Sequence, residues 1–302
     1  MSKLKKLFSK KLPEYIIRYL NKKTGKIITA FNKRKNELND KHWNEKFIKN
    51  SLIVFDINNN LRINLYKDSV LSRLIYEGFE KNELEFMSKV LRVGDILIDV
   101  GANIGLFSLI ASKIVGQSGK VISFEPSPAT FNRLQENISL NNLKNIDSRN
   151  IGLSNKKGIL SLNVSENGFD AWNTFAKGDI EDKFQKIVDV NVSTLDETLI
   201  DIDKAKISFI KIDVEGWEKF VFEGGKEFLK DYSPTVMVEF TEANTFAAGY
   251  HVHELFDIMV SLNYKWYRYE DGNLNLEKKR LHYPYDNLIA TKDIELLNKK
   301  LN

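Results

Sequence analysis

Between Ile96 and Ser112 the chain reads ILIDVGANIGLFSLIAS, and the residues able to do chemistry fall at alternate positions: Asp99, Gly101, Asn103 and Gly105. A short apolar run, Ile96–Ile98, precedes them, with the length and β-branched content of a strand buried on both faces. Ile104 to Ile110 follow as the first turns of a helix. Strand, glycine turn and helix in that order open the backbone to a small ligand. Gly101 and Gly105 leave no Cβ in a ligand's way and allow dihedrals closed to other residues. A second acid, Glu125, ends the next apolar run, Val121–Phe124. It lies about 20 residues past the loop, the position of a ribose-binding acid in a βαβ unit.

A dinucleotide loop would read G-x-G-x-x-G and seat pyrophosphate on the helix N-terminus. The pattern here is G-x-N-x-G, and Asp99 stands where it would repel a pyrophosphate, so a nicotinamide oxidoreductase is not expected. The acid suits a ligand that brings its own cation, such as the ammonium and sulfonium of S-adenosylmethionine. Asp99, Gly101, Asn103 and Gly105 would hold its methionine end and Glu125 its ribose. Ser127, and less directly Asp147 or Asn150, would lie near the adenine. A second strand repeats the design: Ile210–Lys–Ile–Asp213–Val–Glu215–Gly216 echoes Ile96–Leu–Ile–Asp99–Val–Gly–Ala. Two such strand ends side by side form the crevice where open α/β sheets bind ligands.

These residues need a scaffold. From Val93 onward strand and helix patterns alternate, the order of a doubly wound, mostly parallel α/β sheet. Strands are expected at Val121–Glu125, Ile146–Leu153, Ile207–Val214, Thr235–Phe240, Lys265–Glu270 and Leu288–Thr291, with helices at Pro128–Leu140, Trp217–Lys230 and His251–Asn263. Thr241–Tyr250 reads as a loop, and Ile159–Val164 with Ile187–Ser193 as a hairpin-type insertion. The stretch Asn167–Asn173 mixes aromatic and polar residues; it is either a lid that stacks on a bound ring or an ordinary loop. Before Val93, Leu52–Tyr66 reads as a hairpin and Ser69–Leu91 as helix interrupted at Gly78. Residues 1–92 are therefore expected as an N-terminal helical and hairpin extension, and 93–302 as the catalytic domain. Met1–Leu20 has Leu4, Leu7, Phe8 and Leu12 at helical spacing among lysines. That suits either a basic helix touching an anionic membrane surface or a frayed terminus.

Composition narrows the chemistry. The 302 residues are 42% hydrophobic, and the net charge is +4 from 45 basic and 41 acidic residues. That balance does not suggest a nucleic-acid binder. Cysteine is absent, which excludes disulfides, thiolate zinc, iron–sulfur clusters and cysteine nucleophiles. No apolar run reaches the roughly 18–20 residues that span a bilayer, and the N-terminus lacks the apolar core of a secretory signal. The expected location is the cytoplasm, with peripheral membrane contact through residues 1–20 only on the first of the two readings of that terminus.

Four segments in order, DVGANIGLFSL (Asp99–Leu109), FEPSPATFNRLQENI (Phe124–Ile138), IKIDVEGWEKFVFEGG (Ile210–Gly225) and VMVEF (Val236–Phe240), resemble the FkbM-type S-adenosylmethionine-dependent methyltransferases. The likeness runs from about Leu84 to Tyr269. It implies a Rossmann-like class I methyltransferase fold of seven strands, the last antiparallel. It also implies O-methylation of a hydroxyl on a saccharide or other natural product, one that is lipid-linked if the basic terminus meets a membrane. Methyl transfer from a sulfonium is an in-line displacement, so the protein aligns the acceptor and a base takes its proton. Asp213 and Glu239, at strand ends on the cofactor edge, are the expected bases, ahead of Glu215, Glu242, His251 and His253. Asp213, Glu215 and Glu239 could instead chelate Mg²⁺, but strand-end carboxylates are often structural and no metal is expected. An RNA methyltransferase and a non-catalytic scaffold in a glycan-assembly complex are the competing readings.

Overall fold

The computed structural model describes residues 41–47, 51–58, 60–165, 173–176 and 186–301. The basic stretch at 1–20 and the aromatic stretch 167–172 lie outside them. The chain divides into two compact units, Met1–Ile53 and Val54–Asn302. In the first, residues 41–46 form a helix, and the rings of Trp43 and Phe47, one helical turn apart, stand 4.6 Å from each other. The second unit holds the sheet together with the helices Val70–Glu77 and Lys81–Val90. Gly78, at φ 89°, closes the first of these helices, as the interrupted pattern suggested.

Strands β1 (Leu52–Asn58) and β2 (Leu61–Tyr66) form the two-stranded sheet. The main sheet contains β3 (Ile96–Val100), β4 (Lys120–Phe124), β5 (Ile146–Arg149), β9 (Ile207–Ile212), β10 (Thr235–Phe240), β11 (Lys265–Glu270), β12 (Asn273–Leu276) and β13 (Asp286–Thr291). Its order is β12-β11-β13-β10-β9-β3-β4-β5. The five strands from β10 to β5 are parallel, and β13 runs antiparallel between β10 and β11. The expected seven strands are thus present, with β12 added as an antiparallel edge on β11. A three-stranded sheet joins β6 (Gly152–Leu153), β7 (Gly158–Val164) and β8 (Lys186–Ser193), with β7 and β8 antiparallel.

Alternation along the strands divides the core. Leu97, Val121, Phe209 and Met237 meet Phe86 and Phe107 on one face. Ile98, Ile122, Ile210 and Val236 meet Phe222 and Leu255 on the other.

Three expected elements come out differently. The run Ile146–Leu153 is two strands in two sheets: Asn150 turns its side-chain amide onto the carbonyl of Glu125 at 2.8 Å, ending the ladder after Arg149. The helix expected over Trp217–Lys230 is two, Glu218–Gly224 and Lys226–Tyr232, meeting at Gly225. Thr241–Tyr250 contains a short helix, Glu242–Ala247, where a loop was expected.

The chain leaves β3 outward through β4 and β5, then returns to pair β9 on β3's other side. The crevice at the carboxyl ends of β3 and β9 is therefore the topological switch point.

Candidate functional site

A cavity of ≈ 340 Å³ opens at that switch point. Gly101, Asn103 and Glu125 border it on the β3–β4 side, and Asp213, Glu215 and Glu239 on the β9–β10 side. Sequence and structure agree on bringing these six together.

The glycine loop is fixed by hydrogen bonds to its neighbour strand. The amides of Gly101 and Ala102 both donate to the Phe124 carbonyl at 3.0 Å. Asn103, at φ 48°, donates its amide to Glu125 Oε2 at 3.0 Å, and Glu125 Oε1 accepts from Ser127 N at 2.9 Å. The glycines do a different job from the clearance expected of them. A Cβ on Gly101, at φ 80°, would stand 1.9 Å from the Asp213 carbonyl oxygen, and one on Gly105, at φ 99°, 2.6 Å from Leu134 Cδ1. Their missing side chains let the loop pack on β9's end at Gly101 and on the helix Pro128–Leu140 at Gly105, and the first contact brings the two strand ends together.

Asp99 and Ser127 do not border the cavity. Asp99 is 0% exposed. Its Oδ2 accepts from Ser108 Oγ at 2.5 Å, while Oδ1 has no hydrogen-bond partner and stands 4.0 Å from Lys211 Nζ. Burial pushes its carboxyl up, against the pull of Lys211 and Ser108. Ser127 caps the helix Pro128–Leu140, its Oγ accepting from Thr130 Oγ1 at 3.1 Å. Asp147 is held by Arg149 at 2.9 Å and Lys120 at 3.0 Å, away from the cavity wall. His253 Nε2 lies 2.8 Å from the Arg280 carbonyl, and His251 Nε2 lies 3.9 Å from Glu242 Oε1; none of these three borders the cavity.

The acids on the far wall are crowded. Asp213, Glu215 and Glu239 each offer a carboxylate oxygen within 4.8 Å of the others', a set that could hold a hard divalent cation. Glu215, at φ 53°, accepts from Asn244 Nδ2 at 2.7 Å, and Glu239 from Thr241 Oγ1 at 2.7 Å. Burial pushes both carboxyls well above the ordinary range. For Glu215 the charges of Glu239 and Asp213 add to it, and for Glu239 those of Asp213 and Glu218. Gly216 repeats the role of Gly101: at φ 95°, its Cβ would meet the Asn244 carbonyl at 2.4 Å.

Two charged residues on the wall escaped the sequence reading. Lys211 is register partner of Asp99 across β3 and β9, and donates to Asp213 Oδ2 at 3.1 Å. Burial works against its ammonium, but Asp213, Asp99 and Glu80 together raise its pKa. Glu80 sits at φ 52° between the helices Val70–Glu77 and Lys81–Val90, and burial pushes its carboxyl up to about 8 although Lys211 pulls the other way. The available signal was the lysine inside an otherwise apolar strand, IKID. Nothing local marks Glu80.

The lining fits S-adenosylmethionine. Apolar Phe124, Pro126, Ile151 and Leu153 border the side reached from Glu125, where adenine would lie, and opposite charges border the glycine loop. When bound, that molecule supplies an electrophilic methyl group; the chain supplies its alignment.

The Methyltransferase FkbM domain matches residues 99–266, more than half of the chain. Methyltransferase 1 of Beauveria bassiana is 28% identical over 189 residues, covering 54% of this chain and 76% of that protein. The hexuronic acid methyltransferase AglP of Haloferax volcanii is 30% identical over 145 residues, covering 48% of this chain and 56% of that protein. A solved structure of methyltransferase FkbM from Methylobacillus flagellatus aligns with a TM-score of 0.41 at 16% identity, covering 73% of this chain and 54% of that one. The chain belongs to the FkbM methyltransferase family, and its methyl donor is S-adenosylmethionine.

Proposed function

We propose that the protein is an O-methyltransferase for a hydroxyl of a saccharide or related natural product, with the Asp213 and Glu239 carboxylates assisting removal of its proton. The observation that carries this reading is the convergence of those acids on the cavity wall, at the ends of β9 and β10, against the loop that holds the donor. A hydroxyl needs a proton acceptor as its oxygen attacks, and burial and Asp213 push the Glu239 carboxyl upward, the direction that makes its ionised form a stronger base. Asp213, ion-paired with Lys211, fixes the other side of the acceptor. Phe79 and Tyr285, also on the wall, offer apolar ring faces for a sugar to lie against. The hexuronic acid named for the Haloferax relative supports a saccharide.

Radiolabelled methyl transfer into sugar, lipid-linked sugar and RNA fractions of the source cells tests the assignment. Label in a sugar fraction, reduced about 100-fold or more in Asp213→Asn or Glu239→Gln, is expected; label in RNA overturns it. The three-carboxylate cluster favours one further reading, in which Asp213, Glu215 and Glu239 hold a divalent cation that lowers the hydroxyl's pKa. With carboxylates acting alone, dialysis against EDTA leaves turnover unchanged. Loss of turnover restored by Mg²⁺ selects the cation.

A further inference from the structure

A buried ammonium has three donors to satisfy. Among the described residues, Lys211 makes one hydrogen bond, to Asp213 Oδ2. Asp99 Oδ1, at 4.0 Å, is too far for a second. The residue is 6% exposed, and its ammonium lies 4.9 Å from the centre of the Phe107 ring. Phe107 and the two aspartates occupy its other sides, so the cavity it borders is where the remaining N–H groups meet acceptors. Lys211 is also the one cation on the cavity wall among the described residues.

Glu80 borders the same cavity, near enough to Lys211 for the two charges to act on each other. Among the described residues no hydrogen bond holds its carboxyl, and its left-handed backbone sets it at a turn between helices instead of along one. The wall beside the glycine loop therefore presents one incompletely bonded cation and one incompletely bonded acid. The amino-acid end of S-adenosylmethionine presents the complement, a carboxylate and an ammonium on a single carbon.

We infer that Lys211 and Glu80 are the recognition pair for the amino-acid end of the methyl donor, Lys211 taking its carboxylate and Glu80 its ammonium. Asp99 then works one layer down, holding Lys211 in place rather than touching the donor. The inference rests on the donor alone and is independent of the acceptor.

Calorimetric titration separates this pair from a purely structural one. The probes are S-adenosylmethionine, its decarboxylated analogue, which keeps the ammonium, and 5′-deoxy-5′-methylthioadenosine, which has neither charge. Wild type is expected to prefer S-adenosylmethionine to the decarboxylated analogue by about tenfold or more, the size of one charged hydrogen bond. Lys211→Met erases that preference without weakening methylthioadenosine, and Lys211→Arg retains it. Glu80→Gln weakens both ammonium-bearing ligands and spares methylthioadenosine. Equal affinity of wild type for S-adenosylmethionine and its decarboxylated analogue overturns the inference, as does a Lys211→Met loss shared by all three ligands. Should Lys211→Met fail to fold because it strands Asp99, the wild-type ligand series and Lys211→Arg still decide.

Discussion

Glu80 and Lys211 show how burial sets the charge of a site. A carboxyl pushed to about 8 by desolvation, with Asp213, Glu83 and Asp99 adding to the effect and Lys211 opposing it, is largely protonated in the free protein at pH 7.5. An ammonium seated beside it favours the ionised form and expels the proton. S-adenosylmethionine binding at pH 7.5 is therefore expected to release about half a proton or more, read by calorimetry in two buffers of different ionisation enthalpy. Glu80→Gln removes the release, and methylthioadenosine does not cause it in wild type. No sequence pattern flags Glu80, because Lys211 and Asp213, which act on its charge, come from β9 and its turn, far downstream in the chain. Asp99 is the converse. Its type and spacing single out the loop that borders the cavity, but the side chain points below the loop to Ser108, a direction set by the pleat of β3 against β4 and β9.

At the scale of elements, the two glycine turns work as a matched pair. Gly101 lets the β3 turn approach the Asp213 carbonyl, and Gly216 lets the β9 turn approach that of Asn244, so the loops of β3, β9 and β10 close into one wall. Both contacts are with backbone, which cannot swing aside, and both glycines have positive φ. Gly101→Ala is expected to destabilise the fold by about 2 kcal/mol or more and to abolish binding of S-adenosylhomocysteine, measured by chemical denaturation and calorimetry. Wild-type affinity in this variant would show that the turn tolerates displacement. The Asp-Val-Glu-Gly spelling announced a turn at the end of β9; its contact with the helix Glu242–Ala247 could not be read, because helix and turn are far apart in sequence.

Among the described residues burial raises several carboxyls, Glu80 and Glu218 among them, and this gives the molecule's stability a direction with pH. Glu218, buried under the Val214–Gly216 turn, accepts from both of those amides at 3.1 Å and from Tyr250 Oη at 3.3 Å, and burial raises its carboxyl to about 7. For a carboxyl raised on folding, the native state holds the proton more tightly. Its stabilising contribution is complete below the unfolded-state pKa and disappears as pH climbs through the folded value. Glu218 and Glu80 therefore predict melting temperatures that fall between about pH 5 and pH 8. In Glu218→Gln, where the amide oxygen can keep the turn's hydrogen bonds, the loss of folding free energy across that range should shrink by about 3 kcal/mol, and the fall in melting temperature with it. Thermal melts across that range check this; an equal decline in both proteins would remove Glu218 as a cause.

By itself the sequence determined the alternating α/β order, the split of the early helix at Gly78, the glycine turns and the family. These are properties of short windows, where side-chain period and turn chemistry act over a few residues. The tertiary structure decided which acids face the cavity, where the third strand stops, and that Lys211 and Glu80 border the same cavity. Each of those depends on strand order and register, which bring residues distant in the chain to within a few ångströms and set the desolvation that gives them their charge.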